Sequence, residues 1–191
     1  MVNSCRDCVA CKQSLENYCQ NDPTWTYGSQ DRIDGSVTRG GYSSVMVCNE
    51  DFVVAIPDNL ALEEAAPLLC AGITTYSPLK HWGAEKGKKV GVVGLGGLGH
   101  MAVKYAKAMG AEVFVITTSP DKVAKAKSYG ADTVIVSSDA DAMAGASKSL
   151  DIIIDTAPGK HALDPYIDLL GLNGTIVLVG PIATNLEFGA S

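Results

Sequence analysis

The 191-residue chain carries 15 basic and 21 acidic side chains, a formal net charge of −6, 47% hydrophobic and 6% aromatic residues. That length allows one domain or one and a fraction, and the acidic balance, with no run of Lys or Arg, excludes a basic nucleic-acid-binding surface. No apolar run approaches the ~20 residues of a bilayer span, and MVNSCRDC has no basic stretch followed by an apolar one, so the chain reads as cytoplasmic.

In a reducing compartment the six cysteines are metal ligands or buried thiols rather than disulfides. Cys5, Cys8, Cys11 and Cys19 follow the spacing C-x2-C-x2-C-x7-C. Four thiolates so close in sequence can close a tetrahedral zinc site, and such a site is structural because no coordination position stays open. Iron–sulfur ligation is the main rival. Cys48, after an apolar Val-Met-Val, reads as a semi-buried thiol, and Cys70 from its spacing alone as a buried helical one.

Residues up to Pro57 are rich in Cys, Asp, Gly and polar turn residues, whereas the rest alternates apolar runs with helical patterns. The expected division is therefore 1–57 and 58–191. In the second part Glu63 to about His81 is apolar at helical spacing, interrupted by Pro67 and Pro78. Strands are expected at Lys89–Val93, Glu112–Thr118, Asp132–Ser137, Asp151–Asp155 and Thr175–Val179. Helices are expected at about Gly99–Met109, Pro120–Tyr129 (capped by Ser119, with Asp121 in the first turn), Ala140–Lys148 and Ala162–Leu170. Apolar strands alternating with helices imply a doubly wound α/β fold with a parallel sheet covered on both faces.

Gly94, Leu95, Gly96, Gly97, Leu98 and Gly99 fit G-x-G-x-x-G between a strand and a helix, the context in which this weak pattern gains value. The glycines permit a tight turn, close approach of a pyrophosphate, and helix-on-strand packing. An acidic residue at the end of the second strand would bind an NAD ribose; here stand Thr117, Thr118 and Ser119, with Lys122 beyond. Hydroxyls and a lysine suit a 2′-phosphate instead, so the expected cofactor is NADP.

The stretches MVNSCRDCVAC, LENYC, GGYS, AAPLLCAGITTYSPLKHWG, GLGGLGHMAVK and GADTVIVSS together resemble the zinc-dependent medium-chain alcohol dehydrogenases, within them the cinnamyl alcohol dehydrogenase subfamily. The resemblance implies a Rossmann domain preceded by part of a GroES-like β catalytic domain with a four-Cys zinc lobe. It implies that Cys5, Cys8, Cys11 and Cys19 hold the lobe zinc and that Cys70 is a ligand of a catalytic zinc, against the reading from spacing. It further places Thr74 near the nicotinamide, Gly94–Gly99 at the pyrophosphate, Thr117–Lys122 at the 2′-phosphate, and Thr156 and Gly180 where backbone meets cofactor. Trp25 resembles a wall of the substrate pocket, with ordinary packing as the equal alternative. Partners would be small alcohols or aldehydes, with no nucleic acid and no membrane, and the family is usually homodimeric.

The chain departs from the family pattern in that a catalytic-zinc Cys, a Gly-His-Glu motif and the proton relay have no counterpart before Cys5. His81, His100 and His161 are not placed like the missing ligand, and a sixth strand is not represented after Gly180. The expectation is an inactive fragment of the enzyme. A non-catalytic NADP- and zinc-binding module is the alternative, and a zinc-free quinone reductase is disfavoured by the cysteines.

Overall fold

The computed structural model describes residues 1–180 together with Asn185 and Gly189. The chain divides into two compact units, Met1–Asn59 and Leu60–Ser191.

The first unit holds little regular structure. Helix α1 is a single turn, Val9–Lys12, followed by 3-10 turns at Glu16–Tyr18, Gly40–Tyr42 and Glu50–Phe52. Its β character is limited to two isolated antiparallel bridges, Asn3 with Thr24 and Gln30 with Val37. The apolar run Val45-Met46-Val47 stays exposed, because no strand among the described residues offers it a hydrogen-bonded partner.

In the second unit the expected helical stretch is cut where proline dictates. Helix α2 (Leu62–Ala65) tightens into a 3-10 turn at Ala66–Leu69 around Pro67, and α3 runs Ala71–His81. Pro78 sits inside α3, since a ring near the helix end forfeits only one amide donor and the helix stops within a turn, at His81. Strands β1 (Lys89–Val93), β2 (Glu112–Thr117), β3 (Thr133–Val136), β4 (Leu150–Asp155) and β5 (Leu170–Leu178) form one parallel sheet in the order β3-β2-β1-β4-β5. The crossovers carry α4 (Gly97–Ala108), α5 (Val123–Ser128), α6 (Ala140–Gly145) and α7 (Asp164–Ile167).

Alternation within the strands feeds two cores. Val90, Val92, Val113, Val115, Ile152 and Ile154 face one side, with Leu79 of α3 and Ala102, Val103 and Ala106 of α4. Val93, Phe114, Ile116, Ile135 and Ile153 face the other, with Ala146 after α6 and Leu169 after α7. A fully buried Val or Ile contributes about 2 kcal/mol, so the apolar strands at the sheet centre anchor the unit.

Three expectations change. The helix after β4 is only one turn, and Leu170 already pairs with Leu150. Residues 171–174 then bulge opposite Asp151 alone before Thr175 pairs with Ile152, with Asn173 in the left-handed region. Neither Ser119 nor Asp121 caps the helix after β2. The segment opens as a 3-10 turn, Pro120–Lys122, and no side chain accepts from it.

Candidate functional site

The crevice of an open parallel sheet lies beyond the carboxyl ends of its strands, where the order reverses, here between β1 and β4. The glycine loop occupies that position. Gly94 has φ +84°, a conformation that L side chains rarely adopt, and its N–H donates to Ile116 O at 2.9 Å. A Cβ on Gly99 would stand 2.2 Å from Gly94 O, so α4 can pack on the loop only with glycine there. A Cβ on Gly96 or Gly97, by contrast, would meet no atom within 4 Å.

The first bond of α4 runs from His100 N to Gly96 O, which leaves the N–H groups of the preceding turn without an intrahelical acceptor. Open space above a helix N-terminus with free donors suits a diphosphate. Leu95 packs into the core behind the loop, while Leu98 is half-buried.

Thr156 secures the loop from the β4 side. It is buried, and its hydroxyl donates to Val93 O at 2.7 Å and its N–H to the same carbonyl at 3.0 Å. Gly180, past β5, approaches so closely that a Cβ would lie 2.3 Å from Ala157 O. Thr156 and Gly180 thus lie together beside the glycine loop.

At the end of β2 the residues separate by role. Thr117 is buried and its Oγ1 accepts from Ser119 N at 3.2 Å, so it shapes the turn. Thr118 is exposed, Ser119 and Lys122 are half-buried, and Lys122 makes no ion pair among the described residues.

In the first unit the sulfurs of Cys5, Cys8, Cys11 and Cys19 all lie within 4.8 Å of one another. Cys5 and Cys11 are 3.8 Å apart and Cys8 and Cys11 3.5 Å. Ligands at 2.3 Å from a tetrahedral zinc stand about 3.8 Å apart, whereas a disulfide needs roughly 2 Å.

Backbone N–H groups of Asp7 and Cys8 point at Cys5 Sγ, at 3.5 and 3.3 Å, and hold that thiol down to about 6. At Cys11 the Ser4 hydrogen bond lowers the thiol, but burial and the neighbouring Cys8 and Cys19 outweigh it and push it up to about 11. A thiol held that high keeps its proton at neutral pH unless a dication displaces it. Arg6 braces the cluster by bonding Glu16 at 3.0 Å, Asn49 at 3.2 Å and Asp51, with its guanidinium over the Phe52 ring.

Cys70 is exposed and has non-helical backbone angles just before α3, not the buried helical position its spacing suggested. It belongs to no group of three or more potential ligands among the described residues. Thr74 follows on the first turn of α3, its N–H bonded to Cys70 O at 3.0 Å. Trp25 is half-exposed and lies outside a 460 Å³ cavity of the first unit, which Val2, Ile33, Val37, Met46 and Cys48 border. Cys48 is partly buried.

The sequence did not single out Asp155 and His161. Asp155 ends β4 with 1% of its side chain exposed, and His161 Nε2 donates to its Oδ2 at 2.7 Å. Neither spacing nor residue type marks a lone His in a connecting loop as a partner of the strand behind it.

The sheet order and the loop are those of the doubly wound Rossmann class. Residues 97–191 match the zinc-binding dehydrogenase family. Over 98% of its length the chain is 56% identical to a probable mannitol dehydrogenase of Fragaria ananassa and 53% identical to a probable cinnamyl alcohol dehydrogenase of Zea mays, covering 52% and 51% of those proteins. A solved cinnamyl alcohol dehydrogenase of Sorghum bicolor superposes with a TM-score of 0.95 at 49% identity, over 99% of this chain and 54% of that one. The Helicobacter pylori CAD solved with NADP(H) gives 0.89 at 43%, over 100% and 53%. The chain belongs to the zinc-binding dehydrogenases and spans about half the length of these relatives. No helix among the described residues is long and apolar enough to cross a membrane.

Proposed function

We propose that this chain supplies the NADP(H) site and a structural zinc lobe of an alcohol dehydrogenase that interconverts primary alcohols and aldehydes. The observation that carries this reading is the open space over Gly96 and Gly97 at a helix N-terminus, with Thr118, Ser119 and Lys122 following β2, the strand paired with β1 ahead of the loop. Hydroxyls and an ammonium there favour a 2′-phosphate, and no carboxylate takes the place that would select a free ribose. The NADP(H)-bound relative from Helicobacter pylori supports the same choice.

A bound nicotinamide would supply hydride chemistry at the carbinol or aldehyde carbon, and a catalytic metal would supply Lewis-acid polarisation of the oxygen. The chain's own residues do the binding. Gly94–Gly99 and the start of α4 hold the diphosphate, Thr156 fixes the loop, and Thr74 at the start of α3 borders the nicotinamide end. Cys5, Cys8, Cys11 and Cys19 hold the lobe zinc. Cys70 offers one thiolate to a catalytic metal that takes three protein ligands. With no companion ligands among the described residues, the 191-residue chain by itself has little or no turnover. Trp25 is assigned to the substrate wall by family resemblance alone.

Titrating the chain with NADPH and NADH tests the reading. Lys122→Ala is expected to weaken NADPH about tenfold, the loss of one charge-assisted contact, and to leave NADH unchanged. Equal binding of both cofactors in the wild type would sink the NADP assignment, and zinc-dependent alcohol oxidation by the pure chain would sink the claim of inactivity.

A further inference from the structure

Four hydrogen bonds converge on Asp155. Its carbonyl accepts from Val179 N at 2.9 Å and Gly180 N at 3.1 Å. Its carboxylate accepts from Ala157 N at 3.0 Å and His161 Nε2 at 2.7 Å. His161 in turn donates from Nδ1 to Gly159 O at 3.0 Å. One residue at the end of β4 thereby ties the loop 156–161 to the exit of β5. That loop adjoins the glycine turn, since Thr156 bonds Val93 O and a Cβ on Gly94 would lie 3.6 Å from Ala157 N. In a doubly wound sheet the half beyond the switch point takes the second mononucleotide, so this loop borders the nicotinamide side.

We propose that Asp155 and His161 are a positioning pair that locks the loop 156–161 against the end of β5 and so shapes the nicotinamide-side rim of the dinucleotide site. The cofactor part of this inference rests on the reading given above; the locking of the loop does not. A carboxylate with 1% of its surface exposed requires a partner of opposite charge or full hydrogen bonding. Both ring nitrogens of His161 face acceptors, Gly159 O and Asp155 Oδ2, an arrangement that is complete only with a proton on each.

Deprotonating Nε2 would set a lone pair against the carboxylate, and the ring would have to leave. Among the described residues, the groups facing His161 are Asp155 from β4 and Tyr166 from α7, whose ring centroid is 6.0 Å away. Lys160 precedes it in the loop and Asp164 opens α7, where its Oδ1 accepts from Gly189 N. Burial lowers the His161 imidazole, but the hydrogen bonds to Asp155 and Gly159 outweigh it and the net shift is upward. Burial and then the Asp155 charge raise the Tyr166 phenol, which stays neutral throughout the range considered. The lock is therefore fully present below the ordinary imidazole value of about 6.5 and is lost as pH rises through the higher folded value.

The test uses the whole chain. The three histidines can be followed individually by NMR, and His161 is expected to titrate above 6.5. Amide exchange at Ala157, corrected for base catalysis, should speed up at least tenfold between pH 6 and 8.5 in the wild type. In His161→Gln it should be fast and insensitive to pH. NADPH binding by the wild type should weaken severalfold over the same interval, while His161→Gln should start weaker at pH 6 and stay flat. A His161 titration at or below 6.5, or Ala157 exchange identical in His161→Gln and wild type, would overturn the lock. NADPH binding unchanged by His161→Gln would overturn its role at the cofactor site. Failure of the wild type to bind NADPH at all, with the exchange signature intact, would instead overturn the dinucleotide reading and this role with it.

Discussion

The glycines of the loop look alike in sequence but do opposite things. Gly99 is a packing requirement, because a methyl group there would meet Gly94 O at 2.2 Å, and backbone cannot yield as a flexible side chain can. Gly97 opens α4 into free space. Gly99→Ala is expected to destabilise the chain by about 3 kcal/mol, read as a lower urea midpoint. Gly97→Ala should leave the midpoint unchanged or raise it, by up to about 1 kcal/mol, yet weaken NADPH because the methyl fills the space the diphosphate needs. Equal stability of the two variants would contradict this division. The pattern G-x-G-x-x-G gives Gly94, Gly96 and Gly99 the roles of turn, pyrophosphate approach and helix packing, but it gives none to Gly97, whose open surroundings only the structure shows. Thr117 likewise has a part that its place in sequence does not show, its hydroxyl accepting from Ser119 N within the turn.

At the scale of elements, the end of the sheet remote from the glycine loop is clamped by two carboxylates. Asp132, just before β3, accepts from Lys107 Nζ at 2.6 Å and from Val113 N at 2.8 Å. Asp151, at the start of β4, accepts from Lys89 N at 2.8 Å and Lys88 Nζ at 3.2 Å. The Lys107 bond and the Val113 N–H lower the first carboxyl, and the Lys89 N–H followed by Lys88 lowers the second. A depressed folded value means stability that is present above the unfolded value of about 4 and lost as pH falls through the folded one. Asp132→Asn should therefore cost stability at pH 7 and flatten the acid limb of a urea-midpoint profile between pH 6 and 3. The side chain is 35% exposed, so screening keeps the cost to about 1 kcal/mol or less. An unchanged acid limb would show that the pairing with Lys107 has no weight. Strand and helix periods made β1, β2 and β4 legible nearly to the residue. The start of β5 was not, because Leu169-Leu170 continues a helical pattern and only pairing with Leu150 draws Leu170 into the sheet.

The whole molecule divides into a unit held by its own core and one with few buried apolar side chains. The second unit has two continuous cores on a buried sheet. In residues 1–59 the buried hydrophobics are only Val2 and Cys11. On the proposed zinc reading, a metal held by the four cysteines would supply the stability that so small a core does not. Elemental analysis is expected to give one zinc per chain and no iron, and chelation should expose the amides of residues 1–59 to fast exchange while those of β1, β2 and β4 stay protected. Iron in place of zinc, or a first unit indifferent to chelation, would refute the zinc lobe.

The sequence by itself determined whatever is encoded by neighbours along the chain. The apolar strand runs, the glycine spacing before α4 and the C-x2-C-x2-C-x7-C cluster each announce a local geometry that any context must respect. Only the tertiary structure decided the exposure of Cys70, the inward turn of Thr117, the early pairing of Leu170 and the bond between His161 and Asp155. Each of these depends on where a side chain points and on what a distant segment or a folded loop places against it. Residue type and spacing fix neither, because direction and burial arise only when the elements close on one another.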